Sequence, residues 1–513
     1  MTLNRFASIS LVMCVVGMAP SVQAVSVRVE AADGIAGPDG TVFSSAGALI
    51  GGPSINESGE FAFEATFTDG ETGFQGVFAK SIGGPARKVL VQGDPDPFDP
   101  NLLTGAATLA SIDEAGRVTA LAVFVDQIDD PDTAVGLINI VTESSPGASL
   151  LNVIRASSPA SSVPSPFSAV DPFLAVSGAG DVFAGGQVPN GSETDLVFGR
   201  FDRATETFIE EVVERDDVLG DGRELVGFFA GQVNDANQIQ GLLVLEDPAT
   251  GENTGVGLAR FTPGVGFEYV ADSTTTAPTG ETVTTVDLNR SQMNDLGDLA
   301  ISLTYDEAGG SEVEIASLIE DGQPAIELFR VGQNLPGTSD SIDELGEFAI
   351  NDAKQVAVEV EVDFDSAIVL TDSTGELTTI AVEGQTPFSG GTLGEVEIVD
   401  LTESGQVYFQ SWDRFNDFQG LFVHDPVLGL IEIVLAGQEL AGGVLENITI
   451  DDILNTTFEE TQFSVNNAGQ GIFYFRLEDD RTGVASFVIP EPGVFLLAVS
   501  CGLVVSMRRS VRR

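Results

Sequence analysis

Few side chains in this sequence are suited to catalysis through a nucleophile or a metal. Among 513 residues there is one His, His424, and there are two Cys, Cys14 and Cys501. One imidazole cannot build a zinc site of His and Cys ligands, and a Ser-His-Asp or Cys-His centre would have to use His424. His424 ends a strand-like run before Asp425-Pro426. We therefore interpret it as a structural or surface residue rather than a general base.

The single Trp, Trp412, is the strongest candidate for contact with a sugar. It adjoins Asp413 and Arg414 in a polar stretch between two apolar runs. A tryptophan at such a place more often packs at the edge of a sheet. We predict a packing role for Trp412, with contact to a sugar as the alternative.

Carboxylates are the abundant chemical group. The chain has 78 Asp+Glu against 22 Lys+Arg, a formal net charge of −56. This charge excludes general binding to nucleic-acid phosphates and disfavours anionic membrane surfaces, since both need basic patches. Paired carboxylates can hydrolyse glycosides and carboxylate oxygens can bind calcium, but no segment matches a calcium loop and no pair stands out among so many. We assign no catalytic, cofactor-binding or metal-binding residue.

Acidic residues recur in loops at similar places along the chain. We predict that these loops form an acidic ring whose role is solubility, with calcium binding as the alternative. Examples of these loop residues are Asp126, Asp129, Asp130 and Asp132; Asp306, Glu307 and Glu312; Glu361, Asp363 and Asp365; and Glu478, Asp479 and Asp480.

The first 24 residues have the pattern of a secretory signal peptide. Arg5 precedes an apolar run from Ile9 to Met18, and small residues follow at Val22 and Ala24. This order of charge, apolar run and small residues is typical of an exported chain, with cleavage expected after Ala24. A buried N-terminal helix is the alternative.

The last 24 residues, 490–513, form a second predicted targeting segment. Pro490, Glu491 and Pro492 precede a 15-residue apolar stretch, 493–507, which we expect to be a short transmembrane helix. An arginine-rich tail follows and should stay on the cytoplasmic side. Its arginines are Arg508, Arg509, Arg512 and Arg513.

This C-terminal segment resembles a PEP-CTERM sorting signal, the tag that exosortases recognise in Gram-negative bacteria. The resemblance implies transient anchoring in the inner membrane, processing by an exosortase-type enzyme near Pro490, and release to the cell surface or the exopolysaccharide matrix. A plain membrane anchor is the alternative. Either interpretation places residues 25–489 outside the cytoplasm.

Residues 25–489, between the two targeting segments, differ in composition from the whole chain. They include 17 basic and 77 acidic residues, a charge near −60, and no Cys. They therefore contain no disulfide, although the expected compartment would permit one.

A turn signature repeats along residues 25–489. It consists of an apolar residue, Asn or a relative, an acidic or small residue, any residue, and usually Gly, as in Ile55-Asn-Glu-Ser-Gly59. Copies recur 51 to 64 residues apart, with apolar alternation typical of strands on both sides. The second residues of the eight copies are Asn56, Asp113, Ser177, Asn234, Asn294, Asn351, Thr402 and Asn466.

Each repeat predicts four antiparallel strands, so the body is expected to be all-β. Repeated units of four strands favour a β-propeller of about eight blades, or seven if one copy is degenerate, over a linear solenoid. The eighth repeat lacks its last strand after Val488, and Ser26–Ala31 resembles the missing strand. We therefore predict a ring closed by the N-terminal strand.

The repeats resemble those of uncharacterised bacterial tandem-repeat propellers, a resemblance that implies fold and surface location only. Together these features predict a non-enzymatic structural or binding component associated with exopolysaccharide or other matrix components. The alternative is an extracellular hydrolase or carbohydrate-binding propeller with a site at the central channel.

Overall fold

The computed structural model describes residues 25–489 except for several short segments. The segments left out are 47–51, 69–72, 100, 127–136, 157–166, 191–192, 214–221, 248, 251, 273–274, 276, 279, 308–309, 321–322, 373, 414–417 and 449–462. Residues 1–24 and 490–513, with Ala24 and all the predicted sorting residues, lie outside the described residues. The same holds for the apolar stretch 493–507. Within the described part, no helix is long and apolar enough to cross a membrane.

The described chain is an eight-bladed β-propeller, as the repeats predict. Every blade is an antiparallel sheet of four main strands, because each signature turn and each later turn reverses the chain. The strands follow sequence order in blades one to seven, whereas in blade eight the N-terminal strand is the last of the sheet. Helical structure within the described residues is one 3-10 turn at Pro38–Gly40.

Blades one to four use strands β2 to β18. They are β2 (Val42–Ala46) with β3 (Ser54–Ile55), β4 (Glu60–Thr68), β5 (Gly73–Ser81) and β6 (Arg87–Val91); β7 (Leu102–Ile112), β8 (Val118–Asp126), β9 (Leu137–Glu143) and β10 (Leu150–Arg155); β11 (Ala169–Val176), β12 (Val182–Asn190), β13 (Glu193–Asp202) and β14 (Thr207–Val213); and β15 (Glu224–Val233), β16 (Ile239–Asp247), β17 (Glu252–Thr262) and β18 (Gly266–Asp272).

Blades five to seven follow the same plan. They are β19 (Val283–Met293), β20 (Leu299–Asp306), β21 (Glu312–Ile319) and β22 (Ile326–Arg330); β23 (Glu344–Ile350), β24 (Val356–Val362), β25 (Asp365–Thr371) and β26 (Leu377–Val382); and β29 (Glu395–Leu401), β30 (Val407–Trp412), β31 (Phe418–Asp425) and β32 (Gly429–Leu435). A small hairpin, β27 (Pro387–Phe388) with β28 (Gly391–Thr392), connects blades six and seven.

Blade eight contains both ends of the described chain. Its strands are β34 (Gly443–Asn447), which pairs with β33 (Glu439–Leu440), then β35 (Phe463–Val465), β36 (Gln470–Leu477), β37 (Thr482–Val488) and β1 (Ser26–Ala32). The pairing of β1 with β37, from Ser26 opposite Val488 to Ala32 opposite Gly483, confirms the predicted closure.

The first strands of the blades form the inner wall of the ring. Each contacts the first strand of the next blade, from β3 and β7 around to β35, which contacts β3 again. These strands therefore line the central channel. Hydrophobic cores fill the spaces between neighbouring blades; between blades eight and one, for example, Phe61 and Phe63 pack with Ile472 and Tyr474.

The signature turns are built by local side-chain hydrogen bonds, as their composition predicts. In the first copy the Asn56 Oδ1 accepts the backbone N–H groups of Ser58 and Glu60 at 3.1 and 2.9 Å. Gly59 has a φ of 77°, which glycine adopts without strain. Asn237 and Lys354 occupy the same left-handed position in blades four and six.

Candidate functional site

The two ends of the channel carry different turns. The signature turns join the first and second strands and lie at one end, which we call the signature face. The turns between the second and third strands lie at the other end, the opposite face, because the second strand crosses the blade between them. Most of the acidic loop residues predicted from the sequence lie on the opposite face.

A hydrogen-bonded ring of signature turns surrounds the channel on the signature face. In five blades the buried Asn Nδ2 donates to a backbone carbonyl of the next blade at 2.9–3.1 Å. One of these bonds, Asn466 to the carbonyl of Asn56, crosses the closure of the ring. The signature Asn therefore stabilises its own turn and also links its blade to the next.

Acidic residues follow the signature Asn in most blades and add a second set of links. The Asp352 N–H donates to the carboxylate of Glu403 at 2.9 Å, and the Asp235 N–H donates to Asp295 at 3.1 Å. Burial and then the charges of neighbouring ring carboxylates raise the pKa of Glu114, Asp295 and Glu403. These acids are consequently near enough to repel one another.

A second group of acids borders the channel between blades six and seven. It consists of Glu347 on β23, Glu359 on β24, and Glu395 and Glu397 on β29, and we call it the carboxylate cluster. Glu347 and Glu395 are exposed on inner strands, whereas Glu359 and Glu397 are partly buried. The cluster lies in the half of the channel nearer the opposite face, where β23 and β29 begin.

Glu359 is positioned by an irregular inner strand. Its side chain lies over Gly346, where an added Cβ would come within 3.1–3.2 Å of the Glu359 carbons. The carboxylate accepts the backbone N–H of Ile398 from blade seven. Glu64, at the same position of blade one, similarly accepts the Leu109 N–H at 2.8 Å.

Glu359 differs from Glu64 in that other carboxylates surround it. Burial, followed by the charges of Glu347, Glu397 and Glu395, raises the pKa of Glu359 to about 8. At pH 7 the protonated form of Glu359 therefore predominates. A protonated carboxyl donates one hydrogen bond as well as accepting, which a carboxylate does not.

Trp412 and Gln410 complete one side of the cluster. The Gln410 Nε2 donates to the Glu397 carboxylate at 2.8 Å and the Trp412 Nε1 donates to it at 3.3 Å. Trp412 also packs edge-on against Phe418, with ring centroids 5.6 Å apart. The indole thus has the predicted packing contact, and it also orients a channel carboxylate.

The cluster combines groups that suit a hydroxyl-rich ligand. Glu397 accepts hydrogen bonds, Glu359 donates or accepts depending on pH, and the partly buried indole of Trp412 adds an apolar surface beside them. Perturbed carboxyl pKa values beside fixed hydrogen-bonding and aromatic side chains mark a candidate functional site.

The other candidate residues do not join this cluster. His424 lies on β31 opposite Val407, and burial lowers its pKa, so its imidazole is neutral at pH 7. Its Nδ1 is buried and has no hydrogen-bond partner within the described residues. Asp129, Asp130, Asp132 and Arg414 lie outside the described residues.

The acidic loops do not bring ligands together for a metal in the described structure. Across the described residues there is no group of three or more His, Cys, Asp or Glu side chains placed to hold a metal ion. The loop residues Asp363 and Asp365, for example, flank a hairpin tip and are exposed.

Sequence reasoning missed the carboxylate cluster although all its residues were visible. Glu359 lies eight residues after the signature residue Asn351, the same spacing that places Glu64 after Asn56. This repeated spacing could have indicated that Glu359 and Glu64 occupy equivalent positions in their blades. The proximity of Glu395 and Glu397 depends on how blade seven packs against blade six, which spacing alone does not give.

Comparisons with known proteins place the chain in a family but assign it no function. Among curated proteins, none matches this chain. The β-propeller domain of the Trilobed protease from Pyrococcus furiosus is similar at 12% identity and a TM-score of 0.39, covering 76% of this chain and 96% of that one.

Two further solved structures are similar at the same low level. The polysaccharide lyase Uly1 has 10% identity and a TM-score of 0.35, with 74% of this chain and 90% of that one covered. The periplasmic gluconolactonase of Pseudomonas aeruginosa has 12% identity and a TM-score of 0.29, with 70% and 90% covered.

One family model matches the chain twice, over residues 20–388 and 203–496. The two overlapping matches together span the whole ring, and their offset is consistent with its internal repeats. The chain therefore belongs to the family of unknown function DUF7453.

Proposed function

We propose that this protein is an exported propeller that binds a glycan of the cell surface or extracellular matrix without transforming it. In this proposal the ligand occupies the channel mouth on the opposite face and contacts the carboxylate cluster. Export follows from the signal-peptide pattern, and sorting by an exosortase-type enzyme follows from the Pro490-Glu-Pro492 segment.

The observation that carries the binding proposal is the cluster itself. Glu397, which is held by Gln410 and Trp412, lies near Glu359, whose carboxyl group has a pKa of about 8. Hydrogen-bonding groups fixed by their neighbours recognise a ligand with little loss of side-chain entropy. A purely structural ring would not require four glutamates gathered beside one stretch of its inner wall.

A glycan array followed by calorimetric titration tests this proposal. We expect binding to oligosaccharides of at least one uncharged class, and loss of roughly tenfold or more in affinity for Glu397→Gln. Glu312→Gln, an exposed carboxylate on blade five, serves as the matched control. Absence of binding to every class, or equal affinities for both variants, would contradict the proposal.

A glycoside hydrolase is the second candidate, and the pKa of Glu359 favours it. Glycosidases use one protonated and one ionised carboxyl group, and the two groups usually have pKa values pushed apart by their surroundings. Incubation with the oligosaccharides that bind, followed by detection of new reducing ends, separates the candidates. Turnover that disappears in Glu359→Gln would replace binding by hydrolysis as the function.

Mass spectrometry of the protein from its native cells tests the sorting proposal. We expect a mature chain that begins after Ala24 and ends near Pro490-Glu-Pro492. A mature chain that still ends in Arg513 would support a plain membrane anchor instead.

A further inference from the structure

One aromatic side chain on the opposite face has an unusual position. Phe364 is at the tip of the hairpin between β24 and β25, where Val362 pairs with Asp365 across a two-residue turn. Its side chain is 92% exposed, more than that of any other large hydrophobic residue in the described structure.

The backbone at this tip is unfavourable for phenylalanine. Asp363 and Phe364 have φ values of 52° and 74°, the left-handed conformation of a two-residue hairpin turn. Asn, Asp and Gly are the residues that adopt this conformation readily, whereas a bulky residue there is an outlier. Asp363 follows the preference and donates its N–H to Asp343, but Phe364 does not.

An exposed ring in a strained position gains nothing for the folded chain. Its exposure leaves it without apolar burial, and the turn would be more stable with Asn. Strain of this kind is characteristic of places where a side chain contacts another molecule.

The tip also stands above the carboxylate cluster. Phe364 is five residues beyond Glu359 along the same hairpin, a rise of roughly 17 Å. On the neighbouring blade, Trp412 pairs with Glu395 at the end of β30 that faces the same side. A ligand that entered the channel from the opposite face would pass the hairpin before it reached Glu359.

We propose that Phe364 is an outer stacking platform for a glycan chain long enough to extend from the carboxylate cluster to the hairpin tip. This inference rests on the proposed function and makes its ligand a polymer rather than a single sugar. The ring packs against the apolar face of a sugar unit several residues along the chain from the one held at Glu397.

The charges around this path select the class of polymer. Glu361, Asp363 and Asp365 flank the hairpin tip, and the four glutamates of the cluster lie below it. A polyuronate or a sulfated glycan would be repelled along the whole path. The ligand is therefore a polysaccharide without negative charges.

Titration with short and long oligosaccharides tests the inference. The probes are cello- and chito-oligosaccharides of two and six units, with hexagalacturonate as the anionic probe. We expect the six-unit probe to bind more tightly than the two-unit probe and the anionic probe not to bind. Phe364→Asn should weaken six-unit binding roughly two- to tenfold, as expected for loss of one aromatic contact, and leave two-unit binding unchanged.

Two controls separate this role from a structural one. Phe364→Asn should raise the melting midpoint, because Asn suits the turn, and Phe364→Trp should keep six-unit affinity. Val427→Asn removes another exposed apolar side chain, from a turn on the signature face, and should change neither affinity.

The outcomes distinguish the two proposals. If neither these probes nor any class on the glycan array binds, the proposed function fails. If the two-unit and six-unit uncharged probes bind but Phe364→Asn leaves the six-unit affinity unchanged, the stacking role of Phe364 fails and the cluster site stands. The stacking role also fails if Phe364→Asn lowers the melting midpoint. Binding of hexagalacturonate equal to that of the uncharged probes would overturn the charge selection.

Discussion

Glu359 connects the ionisation of one carboxyl group to the stability of the ring. Burial and three neighbouring glutamates raise the pKa of Glu359 to about 8, whereas in an unfolded chain it would titrate near 4.5. Between these two values the folded state holds a proton that the unfolded state has released. The contribution of Glu359 to stability therefore falls as the pH rises through this window.

Replacement of Glu359 by Gln should remove this dependence on pH. We expect Glu359→Gln to be more stable than the wild type at pH 8, and the slope of unfolding free energy against pH to decrease by up to about 1.4 kcal/mol per pH unit between pH 5 and 8. Urea denaturation across this range measures the slope. Glu312→Gln should keep the wild-type slope; an unchanged slope in Glu359→Gln would show that its carboxyl is already ionised at pH 7.

In blade two the link to the next blade is made by different residues. There Asp113 replaces Asn, and Arg117, four residues later, forms an ion pair with it through Nε at 2.5 Å. Arg117 also donates to the carbonyl of Ala179 in the next blade at 3.2 Å. The ion pair thus supplies the link between blades that Asn supplies elsewhere.

A double substitution in blade six tests this equivalence. Asn351 donates to the Thr402 carbonyl and to the Gln355 Oε1, both at 3.0 Å, so Asn351→Asp places a carboxylate against two acceptors. We expect Asn351→Asp to lose about 2 kcal/mol of unfolding free energy and Asn351→Asp with Gln355→Arg to recover at least half of it. Urea denaturation of both variants and of Gln355→Arg alone measures the coupling. Additive effects of the two changes would disprove the equivalence.

At the scale of elements, β1 is held in place by more than its ladder with β37. Glu30 on β1 is buried and pairs with the buried Lys80 of blade one, with 2.7 Å between Nζ and Oε2. Glu30 also accepts hydrogen bonds from the Ser486 Oγ and the Gly83 N–H. One carboxylate therefore joins the closing strand both to β37 of its own blade and to blade one.

Removal of Lys80 should weaken the closure strongly. We expect Lys80→Met to lose about 3 kcal/mol of unfolding free energy, because it leaves Glu30 buried without its counter-ion. Lys88→Met breaks a more exposed pair with Asp94 and should lose less than about 1 kcal/mol. The two variants are compared by urea denaturation. Similar losses in both would mean that the Glu30–Lys80 pair adds nothing specific to closure.

The elements were predictable because their signals are local and repeated. The signature turn, the alternation beside it and the strand missing after Val488 together predicted eight blades and a closure at Ser26–Ala31, and the structure confirms them. Glu359 and Phe364 were harder to recognise. The pKa of Glu359 depends on neighbours from another blade, and the exposure of Phe364 depends on a turn that composition would assign to Asn or Gly.

The whole molecule carries a large excess of negative charge. Its folding gathers part of that charge at the signature face, where Glu114, Asp295 and Glu403 have raised pKa values, and part in the carboxylate cluster. Raised carboxyl pKa values mean that the folded ring is destabilised as these groups ionise. Screening by salt should reduce this repulsion.

Salt should therefore stabilise the protein more at pH 8 than at pH 5. We expect the melting midpoint to rise by several degrees between 20 and 500 mM NaCl at pH 8, and by less at pH 5, where more of these carboxyls are protonated. Calorimetry measures both midpoints. Calcium chloride at matched ionic strength is the control, because a larger rise in calcium than in sodium would reveal specific binding by the acidic loops.

The closure of the ring also determines how it responds to force. Ser26 and Val488 are paired at the outer end of an antiparallel ladder, so tension between them separates β1 from β37 one residue pair at a time, like a zipper. Strands loaded in shear would instead share the force over every pair at once. Two residues into the ladder Arg28 donates to the Gly83 carbonyl of blade one at 3.4 Å, and four residues in, the unzipping must also break the buried Glu30–Lys80 pair. Tension between Ser26 and Val488 therefore loads the ladder that closes the ring, and the buried carboxylate of Glu30 resists its opening.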